Sequence, residues 1–131
     1  MFADMKQMVE KAWREQYALL AINCMNLESA RAAVRVAEKY RAPIILNLYQ
    51  GHLAHFPPAT AMAVARTLAE EASVPVTLSL DHGKEPVKIR QAFRAGFSGL
   101  MIGSPDASWH LEFTHCRHHP VTPSPGDEDL L

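Results

Sequence analysis

Apolar positions along the first hundred residues alternate between two spacings. Runs that are apolar at nearly every position occur at residues 17–24, 44–49, 74–80 and 99–102. Such runs are typical of parallel strands buried on both faces, although the first is also compatible with a helical segment. Between them, residues 4–15, 27–40, 59–72 and 85–95 carry apolar side chains at intervals of three and four, which predicts helices. This order predicts βαβ units and a parallel sheet.

Several residues mark the ends and faces of the predicted helices. Asn26 is placed to cap the second helix, Pro57 and Pro58 suit the start of the third, and Gly96 suits the end of the fourth. The apolar stripe of the first helix includes Trp13. In the fourth helix the candidate buried positions are Val87, Ile89, Ala92 and Phe93.

The pattern changes after Ile102. The following segment contains four prolines and four of the seven histidines, and its apolar spacing does not continue past residues 109–113. We therefore expect an α/β unit over residues 1–102 and an irregular, poorly ordered tail over residues 103–131.

Composition limits the class of protein. A chain of 131 residues has room for one domain, and 48% hydrophobic with 21% charged residues is ordinary for a globular chain. The net charge of -1 gives no field for nucleic acid or an anionic membrane, and no apolar run approaches the roughly 20 residues of a membrane span. The start lacks the pattern of a signal peptide, and two cysteines make no disulfide framework. These features predict a cytoplasmic protein without nucleic-acid or membrane partners.

The tripeptide Asp81-His82-Gly83 follows the third apolar run. Ligands collect at the carboxyl ends of strands in parallel α/β folds, where a carboxylate and an imidazole can transfer protons or bind metal. Because adjacent residues at a strand end point in different directions, the two side chains need not contact each other. The same tripeptide is also compatible with an ordinary turn.

Three segments resemble the class II fructose-bisphosphate and tagatose-bisphosphate aldolases. They are the stretch from Val74 to Met101 that contains Asp-His-Gly, the run YALLAINCMNLE at residues 17–28, and APIIL at residues 42–46. The resemblance covers residues 1 to about 102 and rests on the order and spacing of these motifs.

The resemblance implies the N-terminal half of a (β/α)₈ barrel and zinc-dependent aldol cleavage of fructose or tagatose 1,6-bisphosphate. It makes His82 a zinc ligand and Asp81 the general acid/base at the C4 hydroxyl of the substrate. Asn23 matches a family asparagine, for which contact with the phosphorylated ketose and a purely backbone role are equally open. Such a site fits zinc acting as a Lewis acid beside a proton-transferring carboxylate.

The chain also departs from the family pattern. The other two zinc-ligating histidines of the family lie in later strands, Gly103 stands where the family has an aspartate, and Tyr49 replaces a serine or threonine. Because the resemblance stops sharply at Ile102, a frameshift or premature truncation is one hypothesis, and this chain is expected to be inactive alone.

Other histidines offer weaker alternatives. His52 and His55 could face the same end of the sheet, but we expect them to be loop surface residues. The tail cluster, defined as His110, His115, Cys116, His118 and His119, lacks the pattern of a structural zinc site.

Two further functions stay open beside the aldolase. The chain could be a non-catalytic half-barrel that pairs with a second half-barrel or with itself through exposed strand edges. It could instead be a different small α/β protein that binds metal through its tail.

Overall fold

The computed structural model describes residues 1–103 and the backbone of a strand at His110–Phe113. The helices are α1 (Met5–Glu15), α2 (Leu27–Lys39), α3 (Pro58–Glu71) and α4 (Pro86–Ala95), with a short 3₁₀ helix at Gln50–Ala54. The strands are β1 (Leu20–Asn23), β2 (Ile44–Tyr49), β3 (Val76–Gly83), β4 (Gly99–Ile102) and β5 (His110–Phe113). They form one sheet in the order β1-β2-β3-β4-β5.

The first four strands are parallel, which confirms the predicted βαβ units. β5 pairs antiparallel with β4 and lies inside the segment expected to be irregular. The other residues of the predicted tail lie outside the described part of the chain.

Helices α2, α3 and α4 cover one face of the sheet, here called the outer face. Alternate residues of the central strands, such as Leu46, Leu48, Val76 and Leu80, are almost completely buried beneath them. Burial of each such side chain contributes about 1.5–3 kcal/mol, so this layer supplies the main core.

Helix α1 packs against the opposite, inner face of the sheet. Its Met5 and Met8 form a small buried cluster with Ile45 of β2, and the Met5 N–H donates to the Ser98 hydroxyl at 2.7 Å. The Met5 sulfur occupies the space that a Cβ at position 99 would need, so Gly99 permits this close approach.

The helix ends carry residues whose side chains or backbone suit a cap. Asp4 accepts the Gln7 N–H, and Asn26 forms a capping box with Ser29. Gly96 ends α4 with a positive φ of 94°, a conformation that glycine adopts without steric cost.

The expectation that the first strand is buried on both faces is wrong. β1 has four residues, and Leu20 is 60% exposed because β1 is an edge strand that pairs only with β2 among the described strands. Three other predicted buried positions are also exposed, namely Trp13, Val87 and Phe93. In α4 the sheet-facing positions are Ile89 and Ala92, three residues apart, so the neighbouring positions turn away.

No helix in the described ranges has both the length and the apolar character needed to span a membrane. The longest, α3, has 14 residues.

Candidate active site

The carboxyl end of β3 carries an irregularity that shapes the site. Leu80 pairs with Leu100 of β4, but the next registered pair is Gly83 with Ile102. Asp81 and His82 therefore stand opposite the single residue Met101, which is the two-against-one count of a β-bulge.

The bulge turns two consecutive side chains toward each other. His82 adopts a positive φ of 54°, and its Nε2 lies 3.5 Å from Oδ1 of Asp81. The His82 ring also makes an edge contact with Tyr49 on β2, with ring centroids 6.0 Å apart. The expectation that the two side chains point in different directions is therefore wrong, because regular strand alternation is interrupted between them.

This conformation carries strain. A non-glycine residue in the left-handed region costs roughly 1–2 kcal/mol, and residues in such conformations cluster at functional sites. Gly83 follows with little free space, because a Cβ there would lie 3.0 Å from Leu80 and Ile89 side-chain atoms and 3.1 Å from the Met101 carbonyl oxygen. The tripeptide is thus a packed strand end, which the turn interpretation does not describe.

The parallel register brings Asn23 to the same place. Asn23 ends β1 beside Asn47, and Asp81 pairs with Tyr49 further along β2. The Asn23 side-chain N–H donates to Oδ2 of Asp81 at 3.2 Å. All three residues singled out from the sequence, Asn23, Asp81 and His82, therefore form one constellation.

The two titratable side chains differ in exposure. The Asp81 side chain is 10% exposed and the His82 side chain 43%. A largely buried carboxylate thus lies beside an imidazole that solvent can reach. Such a pair can exchange a proton with a bound hydroxyl and offer a nitrogen to a metal ion.

Two neighbouring residues were not predicted as part of this site. Tyr49 lies between His52 and His82, with an edge contact to each ring. Gln50 is buried to 7% exposure and bonds to the backbone after Gly83. The available signal was their position at the carboxyl end of a buried strand, which in a parallel sheet is the same sheet end as that of Asp81.

The two other histidines among the residues with described side chains differ in their burial. His52 packs on Tyr49 with its Nδ1 buried, whereas His55 is exposed as expected. The tail cluster lies outside the residues whose side chains the structure describes. Within residues 1–103, no group of three or more His, Cys, Asp or Glu is arranged to hold a metal ion.

Cys24 follows Asn23 and is buried under the helix layer with 3% exposure. Its N–H donates to the Asn47 carbonyl at 2.8 Å. Burial raises the pKa of the Cys24 thiol to about 11, since desolvation disfavours the thiolate.

The strain at His82 predicts an unusual order of variant stabilities. His82→Gly should keep the free energy of unfolding within about 1 kcal/mol of the wild type, whereas His82→Val should lower it by roughly 1–3 kcal/mol. Urea unfolding measures both. Glu70, an exposed helical position, is the control. There the Glu70→Val variant should be at least as stable as the Glu70→Gly variant. A valine variant as stable as the glycine variant at position 82 would contradict the positive φ.

The raised thiol pKa predicts a pH-dependent stability. Because the folded pKa lies above the ordinary value of 9.0, the neutral buried thiol stabilises the fold below about pH 9, and this contribution is lost as the pH rises toward 11. Between pH 8 and pH 10.5, the free energy of unfolding of the wild type should fall by about 1–2 kcal/mol relative to that of Cys24→Ala. Urea unfolding at both pH values measures it, and a constant difference would contradict the burial of the thiol.

Known proteins share this sheet and its motifs. The family model described as "Fructose-bisphosphate aldolase class-II" matches residues 3–116. The chain is 36% identical over 104 residues to a 6-phospho-5-dehydro-2-deoxy-D-gluconate aldolase of Bacillus licheniformis, covering 77% of this chain and 36% of the relative. It is 39% identical over 97 residues to a fructose-bisphosphate aldolase of Thermus caldophilus, covering 73% and 31%.

Solved structures agree with this relation. The crystal structure of the YdjI aldolase from Escherichia coli K12 matches with a TM-score of 0.69 and 27% identity, covering 77% of this chain and 40% of that one. The four parallel strands and their helices correspond to the N-terminal part of a (β/α)₈ barrel. The chain spans about a third of the length of these curated relatives. With its family model, its motifs and its fold in agreement, the chain belongs to the class II fructose-bisphosphate aldolase family.

Proposed function

We propose that Asn23, Asp81 and His82 are the N-terminal share of a class II aldolase site, which cleaves a carbon–carbon bond of a phosphorylated ketose. The observation that carries this proposal is the bulge of β3, which holds the His82 imidazole beside the Asp81 carboxylate. Their location at the carboxyl end of parallel strands agrees with where barrel enzymes bind substrate.

In this proposal Asp81 is the proton-transfer group. Aldol cleavage removes the proton of the hydroxyl on the carbon whose bond to its neighbour breaks, and a carboxylate within hydrogen-bond reach can take it. Asn23 donates to Oδ2 of Asp81, which restricts rotation of the carboxylate and directs Oδ1 toward His82. Because the Asn23 residue is itself exposed, it is also our candidate for contact with the substrate.

His82 is the proposed zinc ligand. Its exposed imidazole, held beside a carboxylate, is a suitable donor for Zn²⁺. Zinc, when bound, supplies a Lewis acid that polarises the substrate carbonyl. A catalytic zinc ion commonly has three protein ligands, whereas the described residues hold no such group. The remaining ligands would therefore have to come from outside the described part or from another chain.

The names of the relatives, which include fructose-bisphosphate aldolase and 6-phospho-5-dehydro-2-deoxy-D-gluconate aldolase, support a phosphorylated sugar derivative as the substrate. Our candidates are fructose or tagatose 1,6-bisphosphate, cleaved to dihydroxyacetone phosphate and glyceraldehyde 3-phosphate. Since the chain spans about a third of these relatives, we expect it to bind zinc weakly and turn over little substrate alone.

A non-catalytic half-barrel is the second candidate, and the exposed edge of β1 favours it. Leu20 and Met25 are 60% and 58% exposed at this edge. The β4 edge is covered by β5, so β1 is the open edge of the four parallel strands. An open strand edge with exposed apolar residues favours association with another copy or a second half-barrel. A folded monomer in sedimentation would contradict this candidate.

The catalytic proposal predicts a specific loss on Asp81→Asn. With Zn²⁺ added, any cleavage of the candidate ketose phosphates should fall by about 10²–10⁴-fold, because the amide cannot take a proton. Coupled detection of the triose phosphate product measures the rate. His82→Gly should abolish the zinc dependence of whatever rate remains.

The matched control is Asn47→Asp, which places a carboxylate on the neighbouring strand and should not restore activity to Asp81→Asn. No turnover from a folded wild-type sample would reject catalysis by this chain alone. Turnover that survives Asp81→Asn would reject the assigned role of Asp81.

A further inference from the structure

Gln50 connects the end of β2 to the loop that follows the Asp-His-Gly bulge. It is the first residue of the 3₁₀ helix and is buried to 7% exposure. Its side-chain oxygen accepts two backbone N–H groups, from Lys84 at 2.6 Å and from Glu85 at 2.8 Å. Its side-chain nitrogen donates to the Glu85 carboxylate at 3.1 Å. One buried amide thus satisfies three polar groups of a single loop.

These N–H groups need an acceptor that the helix cannot give. Glu85 is the N-cap of α4, and the first N–H groups of a helix have no carbonyl partner within it. The Glu85 side chain makes no capping bond to the backbone and instead contacts Lys88 at 2.8 Å. Gln50, at the start of the 3₁₀ helix after β2, therefore supplies the acceptor for the N–H groups of the N-cap of α4 and of the residue before it.

The loop held by Gln50 begins directly after the strained part of β3. His82 has a φ of 54°, and only Gly83 separates it from Lys84. On its other side, the Gly83 carbonyl accepts the Gly103 N–H at 2.9 Å. Strained conformations persist only where the surrounding structure fixes them from several sides, and these contacts with β4 and Gln50 are two such sides.

We propose that Gln50 is a positioning residue of the site, which holds the Lys84–Glu85 loop so that His82 stays beside Asp81. Only the expected effect on zinc binding rests on the proposed function. The positioning of His82 by Gln50 does not itself require a metal. The chemistry needed is an acceptor oxygen at the end of a side chain of this length. Glutamate should therefore keep the two backbone bonds of Gln50. It loses the donation to Glu85, whose exposed carboxylate can turn away while it stays paired with Lys88. Methionine, of similar size but without a strong acceptor, should not keep these bonds.

The test compares Gln50→Met, Gln50→Glu and wild type of the full chain at constant pH. In the wild type and in Gln50→Glu, the backbone amides of Lys84 and Glu85 should exchange slowly with deuterium. In Gln50→Met their exchange should accelerate by about tenfold or more, since the acceptor is gone. NMR signals of the Asp81 and His82 backbone should move in Gln50→Met and stay near the wild type in Gln50→Glu.

Titration with Zn²⁺ alone gives the functional arm. The zinc-induced change in the His82 ring signal should require about 10-fold more metal in Gln50→Met, a loss typical of groups that orient a ligand, and glutamate should restore it. Gln91→Met is the matched control, because Gln91 is exposed on α4 and its loss should change none of these signals.

The outcomes separate the two proposals. If Zn²⁺ moves no His82 signal in the wild type, the metal role of His82 fails, while amide exchange still decides the role of Gln50. Unchanged exchange in Gln50→Met, or unchanged Asp81 and His82 signals despite faster exchange, would overturn the positioning role. If Gln50→Met does not fold, Gln50→Asn replaces it, since its shorter side chain cannot reach both amides and the same results are expected.

Discussion

The β-bulge at the end of β3 is the constraint on which the site depends. In a regular strand the side chain after Asp81 would point to the outer face, into the layer of α4. Instead Asp81 and His82 share the place opposite Met101, and Gly83 returns to the outer side against Ile89. One extra residue in one strand thus gives two adjacent polar side chains the same direction.

The rest of the described fold supports that bulge from both faces. The outer face is an apolar layer in which Leu80 and Ala92 are fully buried, so β3 cannot shift without opening the core. On the inner face, Met5 of α1 covers the sheet near Ile45 and Ser98. The carboxyl end of β3 remains accessible to solvent at His82. The parallel register then adds Asn23 from β1 and Tyr49 and Gln50 from the end of β2.

Much of this arrangement is predictable from the sequence, because it depends on local signals. The alternation of apolar runs with helical spacing predicts the βα order, and Asn26 and Gly96 mark helix ends by their own chemistry. Family motifs then single out Asn23, Asp81 and His82, which the structure brings together. The exposure of Leu20 and Trp13 was not predictable, because an apolar side chain is buried only where a neighbouring element covers it.

The bulge and Gln50 lie beyond local signals for a physical reason. Asp-His-Gly is compatible with a turn as well as with a strand end, and only the register with β4 distinguishes them. Gln50 acts on residues 34 and 35 positions away, and nothing in the sequence of the 3₁₀ helix indicates that pairing. Contacts between the ends of separate strands depend on the three-dimensional fold, so they can be identified only from the structure.

The position of the His82 ring tests the account most directly. Nuclear Overhauser measurements on the full chain should detect contacts between the His82 ring and the Tyr49 ring, whose centroids are 6.0 Å apart. We expect these contacts, and none between the His82 ring and Ile89. A His82 ring that contacts Ile89 and not Tyr49 would mean a regular strand end without the bulge, and it would contradict the proposed site.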